Sequence, residues 1–502
     1  MSRVRHDTDR LLRVAHGRMA SHAIRRAMLV TAAVLLLAAP TILSFFSGGF
    51  FFEPRVIAAI AAWLLVLGLA AVGPAPLPRS RNGWLALGGL VLIAVWSAVS
   101  VAWAPRAGPA VESVERLVLY VGAMLVAFGA LRSRRVVRAV EPALAAGAAL
   151  VIGYGLAGRL LPGIVHLAHS SRAGGRLEQP LTYWNAEGAL AALGLVLCGR
   201  LAGDRTRPLA VRALAAAAAA PLGAGLYLSY SRGAIAAAVV GLIVLIAAVR
   251  SRSQLEVAAI VLLTGVAAAV AAGALPGVAS LAGDSGTRER DGAIMLAILV
   301  VLAGAGALAT SWRGRAAERR GPAAELLPGS GRLAAFAAAA VILGLAGLMI
   351  GGLRERSAPP AGAQAARLSS VSSNRYEYWR IGLRGFERHP LQGLGAAGFR
   401  ALWLRERSIN EGVTDVHSLE LEMATELGLV GLLALASLLA GAGLAGREAL
   451  RVDRLLAAGP LAGAVAWLLH ASIDWDFEMP AVTLPAIVLI GALIVVAEGP
   501  LS

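Results

Sequence analysis

"TDVHSLELEMATELGLVG", residues 414–431, decides how the chain is read. It sets His417, Glu420, Glu422 and Glu426 directly before a long apolar run. A run of about 20 apolar residues crosses a bilayer as a helix. An ionised side chain inside hydrocarbon costs about 3 kcal/mol unless it faces a partner or a cavity. The stretch is therefore either the lip of a polar cleft or a set of ion pairs at a membrane surface.

The rest of the chain agrees with a membrane setting. Of 502 residues, 58% are hydrophobic and 15% charged, and the mean hydropathy is +0.71. An ordinary soluble domain carries about 25% charged residues. A 20-residue window finds about fourteen spans, the first near 27–46 and the last near 481–498. The expected fold is an all-α integral membrane protein with about 12–14 transmembrane helices and a large late extracytoplasmic loop. It divides into an Arg-rich cytoplasmic N-terminus (1–26), a transmembrane bundle of about 11 spans (27–352), the large loop with a surface helix (353–421), and C-terminal transmembrane helices (422–502). Spans 209–229 and 233–250 are close enough to read also as one re-entrant hairpin. The first apolar run lacks a small-residue cleavage site and reads as a span, not a signal peptide.

All 46 basic residues are arginine, and the net charge is +16. Such a charge suits nucleic acid, but the arginines lie between spans, where membrane orientation accounts for them. No nucleic-acid partner is expected. With the N-terminus cytoplasmic, 27 arginines fall inside and 19 outside, ten of those in the long loop. Long loops do not follow the rule, so both termini come out cytoplasmic. The single cysteine, Cys198, can form no intramolecular disulfide, and no Cys/His zinc spacing exists. Nothing resembles a Walker loop, a zincin helix or a nucleophile elbow. Neither a metal nor a cofactor is expected.

Two outside segments exceed ordinary connections, 158–184 and 353–421. In the second, "RERSAPPAGAQAARLSSVSSN" (354–374) reads as flexible. From Arg375, Tyr376, Trp379, Leu383 and Phe386 recur at helical spacing, which predicts a helix along the membrane surface, ended by the Gly393–Gly395 turn.

Polar residues gather at the outer ends of spans. "SRAGGRLEQPLTYWNAEGA" (171–189) offers Arg172, Arg176 and Asn185; "YSRGA" (230–234) offers Arg232; "NRYEYWR" (374–380) offers Arg375 and Arg380. Arginine's planar fork binds phosphate oxygens in pairs and stays charged, so these clusters suit a lipid-linked phosphate. The plainer reading of each arginine is a headgroup contact. His417 is of a type that accepts a proton near neutral pH, or simply a hydrogen-bonded loop histidine. Glu422 and Glu426 share a helix face and could pair with loop arginines. A fifth cluster, "HASIDWDFEMP" (470–480), reads first as an acidic turn.

In this order the motifs resemble the O-antigen ligase/polymerase superfamily. "SRG" (231–233) stands before an Ala-rich span. "RYEYWRIGLRGFERHPLQGLGAAGF" (375–399) resembles an R-x-x-x-W…P-x-x-G-x-G-x-x-x-F pattern. "HSLELEMATELGLVGLL" (417–433) resembles H-N-x-x-L-x-x-x-x-E-x-G-x-x-G, with Ser418 where the family often has Asn. The resemblance implies a bundle like those of GT-C-type lipid-donor glycosyltransferases. It implies an inverting, metal-independent transfer of an undecaprenyl-diphosphate-linked glycan to an acceptor glycan or lipid. The reaction would lie on the outer face of the bacterial cytoplasmic membrane, with flippase and chain-length proteins as partners. Carried over, His417 would be catalytic, Arg232, Arg375 and Arg176 would bind the diphosphate, and Glu426, Asn185 and Arg380 would support them. Ligases and polymerases share these motifs. A transporter or lipid-carrier flippase, the other class considered, needs ionisable residues deep in its spans.

Overall fold

The computed structural model describes residues 2–73, 75–318, 362–364, 368, 373–499 and 501. Among them the chain is helical, with no β-strand, and 13 helices are long and apolar enough to cross a membrane. This is a multi-pass membrane protein. The span expected at 333–352 lies outside the described residues.

Ten membrane-length helices precede the late loop: α1 (Ser2–Ser44), α2 (Phe52–Val72), α3 (Arg81–Ser100), α4 (Ala107–Ala130), α5 (Arg134–Leu160), α6 (Trp184–Gly203), α7 (Leu209–Leu228), α8 (Arg232–Val249), α9 (Arg252–Ala274) and α10 (Ser285–Glu318). Two short helices follow, α11 (Arg375–Arg388) and α12 (Phe399–Glu406), then α13 (Leu419–Val452), α14 (Arg454–Ala471) and α15 (Pro480–Ala497). Small residues let helices approach closely where lipid gives no hydrophobic drive. The Ala- and Gly-rich α6 is accordingly enclosed on all sides, and α15 nearly so. The proposed hairpin is instead two separate helices: α7 packs against α6, α9 and α10, and α8 against α6 and α14.

The late loop has a core of its own. Tyr378, Trp379 and Ile381 of α11 bury against Phe399, Leu402 and Trp403 of α12, with Val413 and Val416 closing the cluster. The helix expected here is present, and its buried residues are Tyr376, Tyr378, Trp379, Ile381, Gly382 and Gly385, while Leu383 is exposed. The helix also ends at Arg388, before the Gly393–Gly395 turn, because Pro390 disfavours helical geometry at His389.

The end of the loop is locked to α13, which is kinked at Gly428 (φ +65°). The kink frees the Leu429 amide, and the Pro390 carbonyl accepts it at 2.8 Å. The Leu394 and Gly395 amides donate to the Thr425 and Glu426 carbonyls at 2.9 and 2.8 Å. At Gly393 (φ +71°) a Cβ would lie 2.3 Å from the Glu426 carbonyl carbon, so only glycine fits the crossing. The P-x-x-G-x-G spacing thus docks the loop on the broken helix.

Candidate functional site

The glutamates of the opening stretch are structural. Both Glu426 oxygens accept backbone amides, from Ala397 at 2.7 Å and Phe399 at 3.1 Å, at the start of α12. They pair with amides, not with the loop arginines. Glu420 accepts the Ser472 hydroxyl at 2.7 Å, tying α13 to the end of α14. Glu422 is buried beside Glu478, which forms a salt bridge with Arg116 of α4. Ser418 caps α13 by accepting the Leu421 amide at 3.5 Å, where the motif it resembles often has Asn. Serine and asparagine cap helices about equally well.

His417 precedes that cap in a left-handed conformation (φ +59°), which histidine adopts more readily than most residues. Its half-buried ring lies between Tyr378, with ring centres 5.2 Å apart, and Trp475, at 6.0 Å. His417 Nδ1 is 3.0 Å from the Asp415 carbonyl. A carbonyl oxygen only accepts, so Nδ1 carries the hydrogen and Nε2 is left as the basic nitrogen. Burial, the largest influence, lowers the His417 pKa; Asp474 opposes the shift and Arg375 adds to it. Burial and neighbouring Glu478 push the Asp415 carboxyl up to about 7.

Beside His417 runs a hydrogen-bonded chain that joins three distant parts of the sequence. Arg375 forms a salt bridge with Asp474, whose side chain is fully buried. Tyr183 donates to the other Asp474 oxygen at 2.8 Å, and Asn185 donates to the Tyr183 hydroxyl at 2.7 Å. The Trp475 amide donates to Asp474 at 2.9 Å. Burial raises the Asp474 carboxyl, but Arg375, His470 and His417 more than offset it and hold the group below the usual carboxylate range. The 470–480 turn, which sequence reading took for an acidic helix end, is the hub of the site. No periodicity in the sequence marks it. The aspartates themselves were the signal, beside arginines they could neutralise.

Arg232 opens α8 close enough to Arg375 to feel its charge. The preceding turn is clamped from α14. Ser231 Oγ accepts the Ala234 amide at 3.2 Å and lies 3.3 Å from His470 Nε2, whose Nδ1 is 2.6 Å from Asp476. All three side chains are buried, and Ser231 is spent as a helix cap. The chain therefore positions the start of α8. A Cβ at Gly233 would lie 2.6 Å from Ile473, so the glycine lets α8 approach this turn.

Two expected site residues point elsewhere. Arg176 is buried, donates to the Ala173 and Arg172 carbonyls at 2.6 and 2.7 Å, and stacks 3.5 Å over the Trp184 ring. It shapes the 171–189 loop. Arg380 forms a salt bridge with Glu377 on the exposed side of α11. It sits about 140° round the helix from Arg375, given 100° per residue. The site thus brings together His417, Arg375, Asn185 and Arg232, with Glu426 holding the loop behind them.

Among the described residues no group of three or more His, Cys, Asp or Glu side chains is arranged to hold a metal ion. Residues 214–436 match the family model described as O-antigen ligase. No curated protein matches the chain. The matched stretch contains Arg232, Arg375, His417 and Glu426, and it stops before Asp474.

Proposed function

We propose, from the match of residues 214–436 to the O-antigen ligase family model, that this membrane protein is a glycan ligase or polymerase with a specific reaction. It transfers a glycan from an undecaprenyl-diphosphate carrier to an acceptor hydroxyl, with inversion and without a metal ion. His417 Nε2 takes the proton from the acceptor hydroxyl. The acceptor oxygen attacks the anomeric carbon from the face opposite the diphosphate, and the bond to the diphosphate breaks with its electron pair on the leaving oxygen. Arg232 and Arg375 stabilise the charge that grows there, the kind of fixed electrostatic help that lowers such barriers most. Asp474, Tyr183 and Asn185 hold Arg375 in place. The donor arrives by its lipid tail, so the reaction belongs at the bilayer surface, here the outer face of the cytoplasmic membrane with both termini inside.

The observation that carries this reading is the 3.0 Å contact of His417 Nδ1 with the Asp415 carbonyl, which assigns the hydrogen to Nδ1 and leaves Nε2 free beside the Arg375–Asp474 pair. The test is an assay of the purified chain in nanodiscs with radiolabelled undecaprenyl-diphosphate oligosaccharide. A ladder of longer lipid-linked products, unchanged by EDTA and absent in His417→Ala, supports a polymerase. Carrier release only with an added acceptor supports a ligase. Normal turnover by His417→Ala, or a loss with EDTA that Mg²⁺ restores, would sink the mechanism.

A further inference from the structure

At the end of the bundle opposite this site lies a cavity of about 830 Å³. The helices fix its place. α15 starts at Pro480, beside the 470–480 turn, and ends in the cavity wall at Val495 and Glu498. α4 holds Glu478 through Arg116 and reaches the cavity at Ala130. A volume of this size is that of an ordinary small-molecule site.

The cavity is amphipathic. Its rim carries Arg25, Arg26, Arg79, Arg132 and Arg135 against one acid, Glu498. Glu498 is already engaged: Arg132 donates to it at 2.6 Å, and the Arg79 and Ser80 amides donate at 2.5 and 3.0 Å. Among the described residues, no hydrogen bond or ion pair engages the side chains of Arg25, Arg26, Arg79 or Arg135. Below the rim the walls are apolar, with Leu29, Leu37, Val72 and Val495. Val30 and Val34 on the α1 flank are 53% and 57% exposed, so the cavity communicates sideways with the space that lipid occupies.

We propose that this cavity binds one anionic phospholipid. Its phosphate sits among Arg26, Arg79 and Arg135, and an acyl chain lies against α1 and α15. Charge selects the occupant. Four guanidinium groups without an acid attract a phosphate diester, whereas a zwitterionic lipid would bring a second cation among them. Basic pockets between transmembrane helices hold anionic headgroups in this way. The apolar walls distinguish a lipid from free phosphate, which would gain nothing from them. The site is separate from the donor site by the thickness of the bundle.

The test is native mass spectrometry of the full-length chain after purification from mixed phosphatidylglycerol–phosphatidylcholine vesicles. The wild type should keep one phosphatidylglycerol through detergent washing. The triple variant Arg26→Gln/Arg79→Gln/Arg135→Gln should keep it at least tenfold less often. All three side chains are exposed, so folding should survive, and glycan transfer in phosphatidylcholine vesicles should stay at the wild-type level. A control pair at the same end of the bundle but away from the cavity, Arg250→Gln/Arg451→Gln, should leave retention unchanged. Equal retention of phosphatidylcholine, displacement by millimolar inorganic phosphate, or equal loss in the control pair would each overturn the site.

Discussion

Replacing Asp474 with Asn tests whether the hub of the site positions Arg375. The exchange keeps the shape and removes the charge. One Asp474 oxygen accepts both the Tyr183 hydroxyl and the Trp475 amide, and the other accepts Arg375. An asparagine offers one acceptor and one donor end. If its oxygen faces Tyr183 and Trp475, its NH₂ confronts the guanidinium. If it flips, the NH₂ confronts Tyr183 and Trp475. Either way a buried donor meets a donor, at a cost of about 1–3 kcal/mol. Arg375 is 21% exposed, so water recovers part of its loss, and about 2 kcal/mol is the working figure.

If that energy is what holds the guanidinium against the diphosphate, kcat/KM falls about 30-fold, at 1.36 kcal/mol per factor of ten. The assay is transfer from the lipid-diphosphate donor in nanodiscs, with thermal unfolding run alongside. Asp474→Asn added to Arg375→Ala should cost little more than Arg375→Ala alone, since both remove one pair. The pair also sets a pH dependence. Asp474 titrates below the usual carboxylate range, so its stabilisation is fully present above the unfolded value of about 3.9. It is lost only as pH falls through the lower folded value. Asp474→Asn within twofold of wild type, with Arg375→Ala inactive, would refute the positioning role.

Other outcomes follow from the same geometry. Because the His417 pKa is lowered, Nε2 stays unprotonated through neutral pH, and the acid limb of kcat/KM should lie below the ordinary histidine value of about 6.5; a limb above it would contradict the assigned environment. Arg375→Lys should lose nearly as much activity as Arg375→Ala, because a point charge cannot hold Asp474 and diphosphate with one planar fork. Full activity of the lysine variant would reduce Arg375 to a surface charge. Glu426→Gln leaves one of the Ala397 and Phe399 amides facing an NH₂ group, so the chain should lose about 1–3 kcal/mol of stability. An unchanged melting temperature in that variant would show that the loop does not depend on this carboxylate.

The helices were legible because a bilayer forces every backbone group to bond within its own segment, and long apolar runs leave no other solution. The loop's interior was less so. The spacing of Tyr376, Trp379 and Leu383 announced a helix, but not whether lipid or protein would cover it. Phe399 and Trp403 cover one of its faces, and they lie some twenty residues downstream. Arg176 and Arg380 show the same gap. An arginine near a membrane reads alike in sequence whether it waits for phosphate or is held by the carbonyls of its own loop.

Asp474 was hidden for a deeper reason. Its meaning is relational: a carboxylate 99 residues from Arg375 and 291 from Tyr183 acquires a role only when α6, α11 and α14 converge. The same convergence explains why charges stand at the hydrocarbon edge. Glu420 reaches α14, Glu426 reaches α12, and Glu478 reaches α4. Each acid fastens one wall of the cleft, so the half-buried His417 is held by groups that are themselves hydrogen-bonded or ion-paired. A cleft built this way loses its shape when one acid is neutralised. The His417 variants, by contrast, should leave the fold intact while changing the chemistry. That difference in unfolding temperature separates the walls of the site from the residues that act in it.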